Sequence, residues 1–387
     1  MSDIRTPSKS LSALFWGTYD KGKPRTRILL RGLSENGVHL TECHMPIWET
    51  VEDKSQIRGL RSKLAFALRI LTAYPILIFR FYSLPRPDLV VVGYLGHLDV
   101  IILWPFARLR RVPVVWDAFL SLYDTVVCDR QMVTKSHPLA LVIFCWEWLA
   151  CRVVDRIVLD TRAHADYFVR RYNVPSGRTE VVFVGTESEH FPPQSVDPSR
   201  YDTQEFYTVL FYGQFIPLHG IEVIIHAARV LAESKIRFCI VGSGQESRTI
   251  SAMLEKKPLD TVELIPWIDY RSLQKKIHEA DICLGIFGGS EKAARVIPNK
   301  VFQILHSGKP LITRDSPAIR ELVDAKTIGI YLVPAESPEA LADAILQVCN
   351  DLREGRISGM LYEKIRKRIT PKVIGHSFCK IIGKLVD

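Results

Sequence analysis

The chain has 387 residues, with 47% apolar and 24% charged side chains. That is about two domains' worth of core-forming sequence, and it excludes a low-complexity chain. Its net charge of +9 sits almost wholly in residues 1–185, while eight cysteines without a CxxC pair exclude a disulfide framework or a zinc ribbon.

The N-terminal segment MSDIRTPSKS lacks the apolar core of a secretion signal. Apolar runs then alternate with helical periods. In the first half, strands are predicted at 13–19, 38–43, 88–94, 113–118, 156–160 and 180–184. Helices are predicted at 24–36, 57–82, 98–110, 134–154 and 162–172. The segment 54–87 carries seven basic residues and no acidic one, interleaved with LAFALRILTAYPILIFRFYSL. Arg69, Arg80 and Pro75 argue against a spanning helix. Two readings stay open: a binder of an anionic membrane surface, or a core helix with a solvated basic face. Nucleic acid is disfavoured, because no binding motif accompanies the charge.

Residues 190–204, HFPPQSVDPSRYDTQ, read as a linker. Beyond it the rhythm repeats, with strands at 208–213, 237–241, 261–266, 282–287, 310–313 and 329–333. Helices are predicted at 220–234, 246–256, 270–279, 293–307, 316–324 and 336–352, and the tail 361–387 reads as helical and basic. Such alternation predicts α/β architecture with two doubly wound parallel sheets. The expected divisions are a first domain over 1–189, the linker, a second domain over 205–360, and a tail packing back on the first domain. Ligands of such sheets bind beyond the carboxyl ends of the strands, in a cleft between the domains.

The stretch GIFGGSEKAARVIPNKVFQILHSGKPLITRD, 285–315, reads as strand, glycine-rich loop, helix, turn and strand. A helix N-terminus beside Lys292, Arg295 and Lys300 suits a phosphate. The bland alternative is an ordinary α/β loop with a solvated basic face.

Four segments of the second half, 210–231, 237–246, 262–287 and 297–313, together resemble the nucleotide-sugar-binding domain of GT-B glycosyltransferases, specifically the retaining family 4 group. The last carries that family's P-x-K-x-x-E-x-x-x-x-G-x-P pattern as IPNKVFQILHSGKP. The first half is similar more loosely, through the loop 17–22, RGLSENGVHLTECH and VVFVGTESEHFPP. The resemblance implies a retaining hexosyltransferase, with a nucleotide-diphosphate sugar as co-substrate and a glycan or lipid-linked acceptor. It implies no metal and no bound cofactor. It suits a cytoplasmic protein, peripheral at the inner face of a membrane through 54–87. The weighed alternative is a non-catalytic GT-B protein that binds a nucleotide sugar or a partner glycosyltransferase. A nicotinamide dehydrogenase is disfavoured, since GSGQES lacks the third glycine of the dinucleotide fingerprint.

Carried over by position, Gly213, Gln214 and His219 belong to the diphosphate site, although Gln214 and His219 replace the family's Arg and Lys. Lys292, Arg295 and Lys300 are then expected to neutralise the diphosphate. Gln303, where the family has a Glu, is expected at the ribose. Gly242, Gly244, Trp267 and Ile268 are expected at the base. Asp117 and Glu291 are the candidate catalytic carboxylates, with a cap or turn role the alternative for Asp117. Gly17 and His97 are the candidate acceptor contacts, with packing under the loop the alternative for His97. Asp124, Asp129 and Arg130 lie in a long loop expected near this site.

Overall fold

The structure is a computed structural model and describes residues 11–47 and 60–386, with side chains in 60–67 left aside. Lys54 and Arg58 of the basic segment therefore lie outside the described residues.

The first domain runs β1 (Ser12–Gly17), α1 (Pro24–Glu35), β2 (His39–His44), α2 (Leu60–Ser83), β3 (Leu89–Val92) and α3 (His97–Arg110). It continues through β4 (Val114–Phe119), α4 (Pro138–Val153), β5 (Arg156–Leu159), α5 (Arg162–Tyr172) and β6 (Thr179–Val181). All pairings are parallel, in the order β2-β1-β3-β4-β5-β6. Helices cover both faces, which is why β3 reads LVVV and every residue of it is buried.

The second domain runs β7 (Tyr207–Tyr212), α6 (Ile221–Val230), β8 (Ile236–Val241), α7 (Ser247–Lys256), β9 (Val262–Ile265) and α8 (Tyr270–Glu279). Then come β10 (Ile282–Leu284), α9 (Glu291–Arg295), α10 (Asn299–Ser307), β11 (Leu311–Arg314), α11 (Pro317–Leu322), β12 (Ile330–Val333) and α12 (Pro338–Arg353). Its parallel sheet has the order β12-β11-β10-β7-β8-β9. The order reverses between β7 and β10, and that switch point opens a crevice at the carboxyl edge.

One predicted helix is corrected. The stretch 293–307 is two helices, α9 and α10: Val296 and Pro298 are extended, and Pro298, which lacks an N–H to continue the ladder and disfavours a helical residue before it, becomes the N-cap of α10. Gly308 ends α10 at φ 73°, where a side chain would be strained.

The tail forms α13 (Glu363–Arg368) and α14 (Pro371–Val386). Ile374, Phe378 and Ile382 of α14 join Ile28, Leu29 and Leu33 of α1 in one core. Gly32 and Gly375 allow that approach: a Cβ on Gly375 would sit 2.1 Å from the Gly32 carbonyl. The chain crosses between the domains twice, side by side, with the Thr186 N–H bonded to the Ile369 carbonyl at 2.9 Å.

Candidate functional site

At the second domain's switch point, the loop after β7 meets the loop after β10. The Phe287 N–H donates to the His219 carbonyl at 3.1 Å, and the Gly288 N–H to that of Leu218 at 3.3 Å. Gly213 follows β7 at φ +146°. A Cβ there would lie 2.9 Å from Lys300 Nζ and 3.1 Å from the His219 ring. Lys300 thus reaches from α10 to the underside of this loop. It is 5% exposed. Its ammonium lies 3.6 Å from the Phe211 ring centroid and has no hydrogen-bond partner. Burial pushes its pKa well below the usual lysine value.

His219 is buried beside it. Its Nδ1 donates to the Gln214 carbonyl. Burial, and then the Lys300 charge, push its pKa well below the ordinary histidine value. The ring is therefore neutral at neutral pH, with Nε2 left as an acceptor. A buried cation lacking an acceptor is costly by several kcal/mol. A phosphate oxygen supplies what Lys300 lacks.

The other expected cations are engaged across the domain boundary. Arg295 donates to both Asp124 carboxylate oxygens at 2.9 Å, and its guanidinium lies 4.3 Å from the Tyr167 ring centroid. Lys292 donates to Thr125 Oγ1 at 2.8 Å and lies 3.9 Å from Asp129. Ser290 donates to Asp129 at 2.8 Å. These partners lie on a π-helical turn, Asp124–Asp129, of the first domain. Gln214 is engaged likewise, accepting from Arg130 at 3.4 Å. Glu291 stays open, its side chain 88% exposed, with Arg295 at 3.2 Å. Between the π turn and α9 lies a cavity of about 540 Å³, lined in part by Tyr123, Asp129, Tyr167, Arg171, Glu291 and Glu336.

Gln303 is buried, and Tyr212 and Tyr270 engage it. Its carbonyl accepts from Tyr212 at 3.1 Å, and its amide donates to Tyr270 at 3.3 Å. Tyr270 in turn donates to Glu187 at 2.9 Å, and Arg27 pairs with the same carboxylate at 2.7 Å. Gly242 and Gly244 pack against the first loop: their Cβ atoms would lie 1.9 Å from the Gly213 carbonyl and 2.7 Å from the Phe215 carbonyl. Trp267, 70% exposed, follows edge strand β9, with Ile268 half-buried beside it.

Two first-domain expectations are corrected. Asp117 does not open to the cleft: it is 1% exposed and bonded to the equally buried Arg25 at 2.6 Å. Arg25 also donates to the Val182 and Phe183 carbonyls at 2.7 and 2.8 Å, so the pair ties α1 to the interdomain crossing. His97 is buried as well, its Nε2 3.1 Å from Glu147. Glu147 also accepts from Ser121, Tyr172 and the N–H groups of Leu122 and Tyr123. Burial alone would raise its pKa, but these donors and His97 hold it below the usual value. Gly17 is fixed by Asp99, which accepts from the Thr18 N–H at 2.9 Å and from Tyr74 at 2.8 Å. Asp99 and Glu147 were missed as organisers of these loops. The available signal was a lone carboxylate inside each of two apolar helices, α3 and α4.

Residues 207–351 match the family Glycosyl transferases group 1. A chitobiosyldiphosphodolichol beta-mannosyltransferase of Kluyveromyces lactis is 20% identical over 249 residues, which cover 57% of this chain and 55% of that one. An alpha-D-kanosaminyltransferase of Streptomyces kanamyceticus is 23% identical over 264 residues, 64% of each chain. The matches thus span between about half and two thirds of these relatives' length. Among solved structures, sucrose-phosphate synthase from Thermosynechococcus elongatus superposes with a TM-score of 0.70 at 17% identity, covering 97% of this chain and 99% of that one. Anabaena HepE in complex with UDP gives 0.66 at 12% identity, covering 97% and 100%. The chain is a GT-B protein whose second domain is a group 1 glycosyltransferase domain.

Proposed function

We propose that the protein transfers a hexose from a nucleoside-diphosphate sugar to a hydroxyl of a glycan or lipid-linked acceptor, with retention at the anomeric carbon. The observation that carries this reading is the buried Lys300 ammonium, which lacks a hydrogen-bond partner beneath the switch-point loop. A diphosphate over Gly213 would complete it, and the leaving charge would be met without reorganisation. The likeness to HepE, solved with UDP, supports a nucleotide ligand. The name of the Kluyveromyces relative includes a dolichol diphosphate, which supports a lipid-linked acceptor.

In this course the bond from the anomeric carbon to the diphosphate breaks while the bond to the acceptor oxygen forms. The acceptor proton passes to the departing diphosphate. Glu291, the open carboxylate at the cavity, faces the oxocarbenium-like sugar. Trp267 is free to stack on the base, and Ile268 offers main-chain groups to its edge. Gln303 is assigned to the ribose through whichever amide valences its tyrosines leave. Retention rests on the motif resemblance alone, since the two relatives' names include one beta and one alpha linkage.

No metal enters the proposed step. A thermal-shift screen of UDP, GDP, ADP, TDP and their sugars, with and without a chelator, tests the reading. The expected result is chelator-insensitive stabilisation by one nucleoside diphosphate, about 2.7 kcal/mol at a hundred times its Kd. No stabilisation by any of them would overturn the donor site and leave a non-catalytic GT-B protein.

A further inference from the structure

Helices α2, α3 and α4 lie over one face of the first sheet, with Leu77, Leu103 and Ala150 turned into a shared core. Rings close the seams between them: Tyr82 meets Phe106 at 6.2 Å, and His97 meets Trp146 at 6.4 Å. Across all three helices the sequence holds two acidic residues, Asp99 and Glu147. Both are buried and spend their charge on loop N–H groups. The outward side therefore offers no carboxylate from these helices. What it offers is apolar: Leu71 and Phe79 on α2, Trp104 and Leu109 on α3, Leu141 and Trp148 on α4, all exposed. Arg69, Arg80, Arg86 and Arg111 are exposed on or beside the same helices.

Monomeric soluble proteins rarely leave so broad an apolar surface uncovered. We propose that this three-helix face docks the protein on an anionic bilayer. Its apolar side chains enter the boundary between headgroups and acyl chains, and its arginines meet the lipid anions. The charge pattern favours lipid over a second copy of the chain. A two-fold contact through this face would set arginines against arginines with no carboxylate from these helices between them. Among the described residues no helix is long and apolar enough to cross a membrane, so the face lies on the bilayer. Glu147 of α4 holds the Leu122 and Tyr123 N–H groups beside the interdomain cavity. Resting on the transferase reading, the inference names the acceptor class: a hydroxyl carried by a membrane lipid.

Flotation of the full chain with vesicles of phosphatidylcholine, alone or mixed with phosphatidylglycerol, tests it. The variants are Phe79→Glu, Leu109→Glu, Leu141→Glu and Arg69→Gln/Arg80→Gln, all at exposed positions. Each is also assayed for its nucleoside-diphosphate thermal shift. Binding is expected only on the anionic vesicles. Each apolar replacement should lower partitioning about tenfold. Each arginine removed should lower it about fivefold, with the nucleotide shift unchanged. Equal binding to neutral vesicles would overturn the proposal, as would sensitivity confined to α2. A lipid-free dimer that Leu109→Glu dissociates would assign the face to a second copy instead. Absent vesicle binding with an intact nucleotide shift removes this inference alone. Vesicle binding with no nucleotide shift supports the surface and removes the transferase reading.

Discussion

Replacing Lys300 by Met separates the two roles a buried lysine can have. The side chain is buried, its ammonium has no hydrogen-bond partner, and its neighbour His219 is neutral. Holding such a charge costs several kcal/mol, offset by about 2 kcal/mol from the Phe211 ring. Met keeps the length and removes the cost, so the nucleotide-free protein should gain roughly 1–3 kcal/mol. That corresponds to about 2–12 °C in Tm for domains of this size. The same change removes a charge-assisted bond worth about 1.5–3 kcal/mol, so diphosphate affinity should fall roughly 10- to 150-fold. The pH dependence has a definite sign. Lys300 has a depressed native pKa against an ordinary value of 10.5, so over that window the unfolded chain binds the extra proton. Native stability therefore rises with pH through the window, and Met flattens that slope. Diphosphate binding should raise the amine's depressed pKa again, so at the alkaline end of that window calorimetric enthalpies in buffers of different ionisation heat should reveal proton uptake. Urea melts and titration calorimetry on both proteins decide the matter. A Met variant that is less stable and binds the diphosphate as before would refute the argument.

Asp117→Asn should destabilise the fold by about 3–5 kcal/mol, because it leaves Arg25 buried and uncompensated. A variant with an unchanged urea midpoint and lost turnover would instead restore Asp117 to the catalytic site. The Glu246 carboxyl is pushed up to about 7, first by burial and then by Glu222 and Asp129. Between its ordinary value of 4.5 and that value the native state holds the extra proton, so this group lowers stability as pH rises. Glu246→Gln should therefore raise Tm at pH 8 and leave it unchanged at pH 4; equal shifts at both would exclude the carboxyl. Gly375→Ala should force α14 off α1 at a cost of about 1–3 kcal/mol. Hydrogen exchange in α14 should then rise, and unchanged protection would show that the helices part without loss.

Every described strand lies where an apolar run was read, because a parallel sheet covered on both faces leaves little room for polar residues. The breaks were legible too, but harder to weigh. Pro298 disfavours a helical residue before it, and the apolar period running through it masks the interruption. In the site, chemistry was easier to read than partnership. Lys292, Arg295 and Lys300 are equivalent as sequence. Their roles diverge because Asp124, 171 positions before Arg295, takes one charge, Thr125 and Asp129 hold another, and nothing hydrogen-bonds the third. Asp117 illustrates the same limit. Its place at a strand's carboxyl end was legible, but its partner Arg25 lies 92 positions away and turns it inward.

The departures at Gln214 and His219 then acquire a physical reason. His219 and Lys300 approach the same point beside Gly213, at 3.1 and 2.9 Å. A second fixed cation at 219 would sit against the Lys300 ammonium in a buried place, where like charges repel strongly. A neutral imidazole avoids that repulsion and keeps an acceptor at Nε2. Gln214, meanwhile, accepts from Arg130 of the other domain. An Arg at 214 would meet that guanidinium as a like charge. The loop thus lacks the two cations the resemblance leads one to expect, and has beneath it the Lys300 of the P-x-K pattern together with a contact across the cleft. These substitutions are mutually consistent with the proposed donor site, in which Lys300 would carry the phosphate charge.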